Sequence, residues 1–283
     1  MLLAISTSAK RGKHSRRNNT LRMANQKHDY LNWINRMSSR NHSVFQEAKN
    51  KLEPCKFNKV NKNLKYGDVT TVQEAIDSIP IINSCRVVIS ISPGTYREKI
   101  EIPATMAYIT LEGVSSHKTT IKWDDTADRT GKDGQPMGTF AVNSPYFIAK
   151  NITFKNVSST TTAIRVTGKQ AVALRISADT ADHKGRHYFK NCYIQGSVDF
   201  LFGNGLSFYE NCHLRAKTKG YGALTAQKRE SLLEETGILF SELQGPGANH
   251  GDRVKWSREL TELEAKPFIS LSFIDGSEWL LHI

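Results

Sequence analysis

Three things are scarce in this chain of 283 residues. Its four cysteines, Cys55, Cys85, Cys192 and Cys212, include no C-x-x-C pair, so a zinc site is not expected and the redox compartment stays open. No apolar run reaches the roughly 20 residues of a membrane span, which predicts a protein without one. Helical periodicity is almost absent after Pro80. The start, Met1-Leu2-Leu3-Ala4-Ile5, opens like a secretory core, yet Lys10-Arg11 arrives before an apolar region of about 7–15 residues is complete.

The formal net charge of +12 is unevenly placed. Residues 1–66 hold 15 Lys and Arg against 3 Asp and Glu, whereas residues 67–283 hold 24 of each kind. Such a segment attracts polyanions in general. The sequence shows neither zinc spacing nor an aromatic–basic recognition pattern, so nucleic acid is not an expected partner. Residues 1–66, rich in Asn, Lys, Arg and Ser, read as a basic, disordered extension, and residues 67–283 read as the folded domain.

The domain opens with Thr71-Val72-Gln73-Glu74-Ala75-Ile76-Asp77-Ser78-Ile79-Pro80. Val72, Ala75, Ile76 and Ile79 recur at helical spacing, a Thr can cap the start and Pro80 ends the segment, which predicts one short capping helix. Short β runs follow: 86–92, 108–111, 120–123, 147–154, 170–175, 188–194, 198–202, 207–214, 223–227 and 238–240. They are compatible with a sandwich, a barrel or a solenoid. A repeat decides among these. Phe189-Lys190-Asn191-Cys192-Tyr193-Ile194 recurs 20 residues later as Tyr209-Glu210-Asn211-Cys212-His213-Leu214, and Phe154-Lys155-Asn156 shares the aromatic–x–Asn pattern. Coils of that size that turn at Asn describe a parallel β-helix, with Cys192 and Cys212 stacked as buried thiols. The expected fold is therefore all-β, a right-handed parallel β-helix with a short N-terminal capping helix.

The most telling stretch is Gly196-Ser197-Val198-Asp199-Phe200-Leu201-Phe202-Gly203-Asn204. In an extended chain Val198, Phe200 and Phe202 share one face, and Ser197, Asp199 and Leu201 share the other. A carboxylate among apolar neighbours loses hydration, which raises its pKa unless donors or cations compensate. From the residues alone, Asp199 is equally well read as a strand-end Asp capping a turn at Gly203-Asn204-Gly205 or as a reactive group. The nonapeptide resembles the G-S-V-D-F-I-F-G-N signature of plant pectin methylesterases, with Leu201 where Ile is usual. The resemblance implies that Asp199 is a nucleophile.

Three further segments resemble the same family in its usual order. Pro93-Gly94-Thr95-Tyr96-Arg97-Glu98 is similar to its early G-x-Y-x-E motif, read here as a Gly turn with an exposed Tyr and Glu. Gly168-Lys169-Gln170-Ala171-Val172-Ala173-Leu174-Arg175 is similar to the segment whose Gln donates to the oxyanion, which implies that role for Gln170. An amide suits it because it donates without titrating, and one such donor is worth about 3 kcal/mol of barrier. Gly222-Ala223-Leu224-Thr225-Ala226-Gln227-Lys228-Arg229 is similar to a stretch bordering the substrate groove. Thr225 and Gln227 would there bind sugar hydroxyls, although a solvated strand end also explains them.

Two family segments have no counterpart. The Q-D-T-L motif that carries the second catalytic Asp is missing at Ser177-Ala178-Asp179-Thr180-Ala181-Asp182, and neither Asp179 nor Asp182 matches the acid. The L-G-R-P-W segment, with its Arg and Trp, is missing where Leu243-Gln244 runs into Gly245-Pro246. Arg253 and Trp256 match the C-terminal tail instead. The resemblance implies demethylesterification of homogalacturonan by a monomer without metal or organic cofactor, in the extracellular cell wall. The alternative is a catalytically impaired pectin-binding member, a splice variant or an incomplete gene model of a full enzyme. Polygalacturonase or lyase chemistry on the same fold would need a Gly-His motif with clustered Asp residues or a calcium-binding carboxylate group, and Asp124-Asp125 is the only adjacent Asp pair.

Overall fold

The computed structural model describes residues 3–4, 54–126, 138–158, 171–177, 179–180, 183–197, 199–217, 224–226, 236–241 and 271–280. Strand β1 is Leu3–Ala4 and β2 is Pro54–Val60. After them the chain winds in coils of three strands. The first coil is β3 (Arg86–Ile91), β4 (Gly94–Arg97) and β5 (Ile100–Ile102), and the second is β6 (Ile109–Gly113), β7 (Thr119–Trp123) and β8 (Phe140–Val142). The third is β9 (Phe147–Lys150), β10 (Thr153–Asn156) and β11 (Leu174–Ile176). A small antiparallel hairpin follows, β12 (Asp179–Thr180) with β13 (His183–Lys184). The fourth coil is β14 (Arg186–Lys190), β15 (Tyr193–Gly196) and β16 (Leu201–Phe202). The fifth is β17 (Leu206–Glu210), β18 (His213–Ala216) and β19 (Thr225–Ala226), and β20 (Gly237–Ser241) begins a sixth.

Each coil gives one strand to each of three sheets. The first sheet runs β1-β20-β17-β14-β9-β6-β3-β2, the second β18-β15-β10-β7-β4 and the third β19-β16-β11-β8-β5. All pairings in them are parallel except that of β1 with β20. This is a right-handed parallel β-helix.

Side chains pointing inward at one register position stack coil upon coil. Phe189 lies on Tyr209 with ring centroids 4.5 Å apart and 5° between planes, Phe240 continues the same register, and Phe140, Phe147 and Phe154 pack their rings against this column from other positions of the coils. Cys192 and Cys212 are buried free thiols one coil apart, as the repeat predicts. The expected helix, α1 (Val72–Asp77), forms with Thr71 as its cap and ends before Pro80. Val72, Ala75 and Ile76 are fully buried and close one end of the core.

The structure revises four expectations. The segment read as a disordered extension contains β2, which pairs along its length with β3, and Cys55 forms a disulfide with Cys85 across a Cα–Cα distance of 6.0 Å. The runs 147–154, 188–194 and 207–214 are each two strands, because Asn151, Asn191 and Asn211 adopt positive φ (59°, 53° and 47°) and turn the chain a corner. Asn tolerates that conformation better than most residues. The three side chains then chain together, Asn211 Nδ2 donating to Asn191 Oδ1 at 2.8 Å and Asn191 Nδ2 to Asn151 Oδ1 at 3.2 Å. Asn156 does not belong to that series; it is buried at the end of β10 and donates to the carbonyls of Asp125 and Val172. Finally, Tyr96 is not exposed. It is 2% accessible with its hydroxyl on the Ser92 carbonyl, while the Glu98 carboxylate receives the backbone N–H groups of Val72 and Gln73 at 2.9–3.0 Å. Glu98 thus fixes the N-terminus of α1, where a negative charge is favoured.

Residues 271–280 fold back over the first sheet. The Arg186 guanidinium meets the Asp275 carboxylate at 2.7 Å, and Arg86 donates to the carbonyls of Trp279 and Tyr146 at 2.9 and 2.7 Å. Burial lowers the Arg86 pKa to about 10.

Candidate active site

Asp199 lies at the corner between the second and third sheets. It is not within a strand, since β15 ends at Gly196 and β16 begins at Leu201. Its backbone is left-handed, with φ at 54°. That conformation resets the alternation expected for an extended run. Phe200 and Leu201 are both buried, at 0% and 1%, and Phe202 is partly exposed instead of sharing an inward face with Phe200.

The corner is held from both sides. Ser197 N–H donates to the Ala171 carbonyl at 3.2 Å, and Ser197 Oγ accepts from Ala171 N–H at 2.8 Å. The Phe200 carbonyl accepts from the N–H groups of Ala173 and Leu174 at 3.1 and 3.0 Å. Gly196 has Phe200 Cβ where its own would stand, and Gly203, at φ 126°, presses against the Ile176 carbonyl with no room for a side chain. Asp199 is left half-buried between two anchored neighbours. Burial raises its pKa above the usual carboxylate value, and no neighbouring charge among the described residues pulls it back.

The other predicted residues divide in two. Gln170 and Gln227 lie outside the described residues, as do Arg253 and Trp256. Thr225 is described. It pairs with Leu201, so it continues the row of Phe140, Leu174 and Leu201 on the core side of the third sheet, and it is half-buried at that sheet's edge. The row facing outward is Glu101, Ala141, Arg175, Phe202 and Ala226. Sequence reasoning did not single out Ser197, Arg175 or Phe202. The signature contains Ser197 and Phe202, but their roles depend on the corner at Asp199. Arg175 joins Phe202 only through the coil register. Among the described residues no cluster of His, Cys, Asp or Glu is arranged to hold a metal, and no helix is long and apolar enough to cross a membrane.

The family model described as Pectinesterase matches residues 60–244. Pectinesterase QRT1 of Arabidopsis thaliana is 35% identical over 291 aligned positions, covering 76% of this chain and 76% of that protein. Pectinesterase 31 of the same plant is 32% identical, covering 76% of this chain and 92% of the relative. Among solved structures, the pectin methylesterase from carrot superposes with a TM-score of 0.52 at 30% identity, over 67% of this chain and 62% of that one. A pectin methylesterase solved in complex with a hexasaccharide gives a TM-score of 0.50 at 26% identity, over 66% of this chain and 64% of its own. The chain thus spans less than two thirds of each of these solved structures.

Proposed function

We infer the reaction from one premise: the chain belongs to the pectinesterase family. It hydrolyses the methyl esters of homogalacturonan, releasing methanol and leaving galacturonate carboxylates. The observation that carries this reading is the placement of Asp199 on a corner that both neighbouring strands anchor and that leaves its carboxylate half-buried, with no counter-cation among the described residues.

A poorly solvated carboxylate is a better nucleophile than a hydrated one. One Asp199 oxygen adds to the ester carbonyl carbon, and the carbonyl π electrons move to oxygen. The tetrahedral intermediate collapses, the C–OMe bond breaks and the departing methoxide takes a proton from a water molecule, leaving as methanol. Water then cleaves the resulting anhydride and returns the Asp199 carboxylate. Gln170 donates to the oxyanion in both halves; the Ser197–Ala171 pair fixes the residue next to it. Arg175 and Phe202, side by side on the outer row of the third sheet, offer a galacturonate carboxylate its cation and a sugar ring its wall. Thr225, at the edge of the third sheet, and Gln227 bind sugar hydroxyls.

The protein works in the extracellular cell wall as a monomer. The Cys55–Cys85 disulfide supports an oxidising compartment.

The experiment is methanol release from highly methyl-esterified pectin by the purified chain, beside Asp199→Ala, with circular dichroism showing that both are folded. Turnover abolished by the substitution supports the assignment. A folded wild-type chain that releases no methanol, or a variant as active as wild type, overturns it.

A further inference from the structure

On the second sheet, around the corner from Asp199, the coil register builds a second feature. Lys122 of β7, Lys155 of β10, Gln195 of β15 and Arg215 of β18 stand in one outward row, each paired with the next. Successive members are separated by the interstrand spacing of about 4.8 Å, so the row runs roughly 14 Å along the helix axis. Beside it runs a second row of Thr120, Thr153, Tyr193 and His213. The Tyr193 and His213 rings are stacked 5.0 Å apart and form one flat wall. Between the rows lies an open cleft of about 400 Å³.

Among the described residues the charge of this cleft is uncompensated. Lys122, Lys155 and Arg215 form no ion pair with a described residue. The nearby carboxylates are committed elsewhere: Glu98 to the start of α1, Asp124 to Arg97 at 3.0 Å and Asp125 to Lys99 at 2.6 Å. Gln195 accepts from the Tyr193 hydroxyl at 3.2 Å through its carbonyl oxygen, which leaves its amide nitrogen to donate. The result is a ladder of three cations and one neutral donor at regular spacing, with hydroxyl groups alongside. Its complement is a linear glycan that carries carboxylates and hydroxyls at regular intervals.

We propose that this face is a docking track for the demethylated, carboxylate-bearing stretch of galacturonan, apart from the groove that receives the ester. The proposal rests on the reaction assigned above, because that reaction turns a neutral ester into the anion the track recognises. A chain held by its processed end on the second sheet keeps its remaining esters near the Asp199 corner.

The test compares binding of fluorescently labelled, fully demethylated oligogalacturonate to the full chain and to the triple variant Lys122→Gln, Lys155→Gln, Arg215→Gln. The charge-conserving Lys122→Arg, Lys155→Arg, Arg215→Lys serves as the folding and specificity control. Each protein keeps the basic N-terminal segment, so the difference reports the track alone. The expected result is at least tenfold weaker binding by the neutral triple, near wild-type binding by the charge-conserving one, and weakening of both wild-type and control binding by salt. Highly methyl-esterified oligomer should bind equally to all three. Demethylated oligomer bound equally by wild type and neutral triple overturns the proposal, as does equal loss of affinity for a duplex DNA of matched charge, which marks a general polyanion patch. Methanol release is read separately: its absence sinks the reaction, while charge-dependent binding of the demethylated oligomer still upholds the track.

Discussion

Ser197 and Ala171 hold each other by two backbone-directed hydrogen bonds, Ser197 N–H to the Ala171 carbonyl at 3.2 Å and Ala171 N–H to Ser197 Oγ at 2.8 Å. Both residues are almost completely buried. One is two positions before Asp199 and the other directly follows Gln170, so a single contact ties together the two stretches that the proposed chemistry needs.

Ser197→Ala therefore leaves the Ala171 N–H without an acceptor. An unsatisfied buried donor costs about 1–3 kcal/mol of stability. Methanol release should fall further than stability explains, because the Gln170 stretch loses its tether. Chemical denaturation beside kcat at saturating pectin checks this; a stability loss with unchanged kcat would confine Ser197 to the fold.

Asp199 gives a pH prediction. Burial raises its folded-state pKa above the value in the unfolded chain, so the native state prefers the protonated acid. The ionised carboxylate then opposes folding at neutral pH, and that opposition fades as pH falls below the ordinary Asp range. Asp199→Asn should melt at or above wild type at pH 7, with the two curves converging below about pH 4. Activity needs the anion, so the acid limb of kcat/KM should lie above the usual Asp pKa. A wild-type limb at or below the ordinary Asp value would contradict the desolvated corner.

The asparagine corners show how much of this architecture is legible in the sequence. The 20-residue repeat identifies stacked coils correctly, and Phe189 and Tyr209 do pair in register. Within each run, however, periodicity cannot reveal the corner, because Asn191 sits among strand formers and only its φ of 53° breaks the strand. The same blind spot hides Asp199, whose apolar neighbours read as one extended face until the left-handed corner divides them. Tyr96 and Glu98 depart from the local pattern for another reason: the partners that hold them, the Ser92 carbonyl and the start of α1, are contacts that such a pattern does not encode. The Cys55–Cys85 pairing belongs to the same class.

The corners are testable in their own right. Asn191→Ala forces a Cβ-bearing residue without a bonding side chain into left-handed backbone and breaks two links of the Asn ladder. The conformational part alone is about 1–2 kcal/mol. Asn191→Gly restores the backbone freedom but not the hydrogen bonds, so its denaturation midpoint should fall between those of wild type and Asn191→Ala. If Gly is no better than Ala, the ladder hydrogen bonds, and not the corner, are what Asn191 supplies.

His187 predicts where acid should unfold the helix. It is fully buried in β14, with Nε2 3.1 Å from the Ser144 carbonyl and Nδ1 3.4 Å from Ser207 Oγ. Burial is the main reason its pKa falls to about 3, and the neighbouring Arg186 charge lowers it further. A base with a depressed folded-state pKa is neutral in both states above its unfolded value of about 6.5 and adds no pH dependence there. Below that value the unfolded chain takes up a proton that the native one refuses. Stability should then decline by up to about 1.4 kcal/mol per pH unit toward pH 3. His187→Gln keeps a donor for the Ser144 carbonyl and cannot titrate, so urea midpoints between pH 6.5 and 4 should fall less steeply in the variant. Equal slopes would mean that carboxylates elsewhere set the acid limit. A shallower slope would place the acid sensitivity in β14, where the ring meets the Ser144 carbonyl, the Ser207 hydroxyl and the Leu206 backbone.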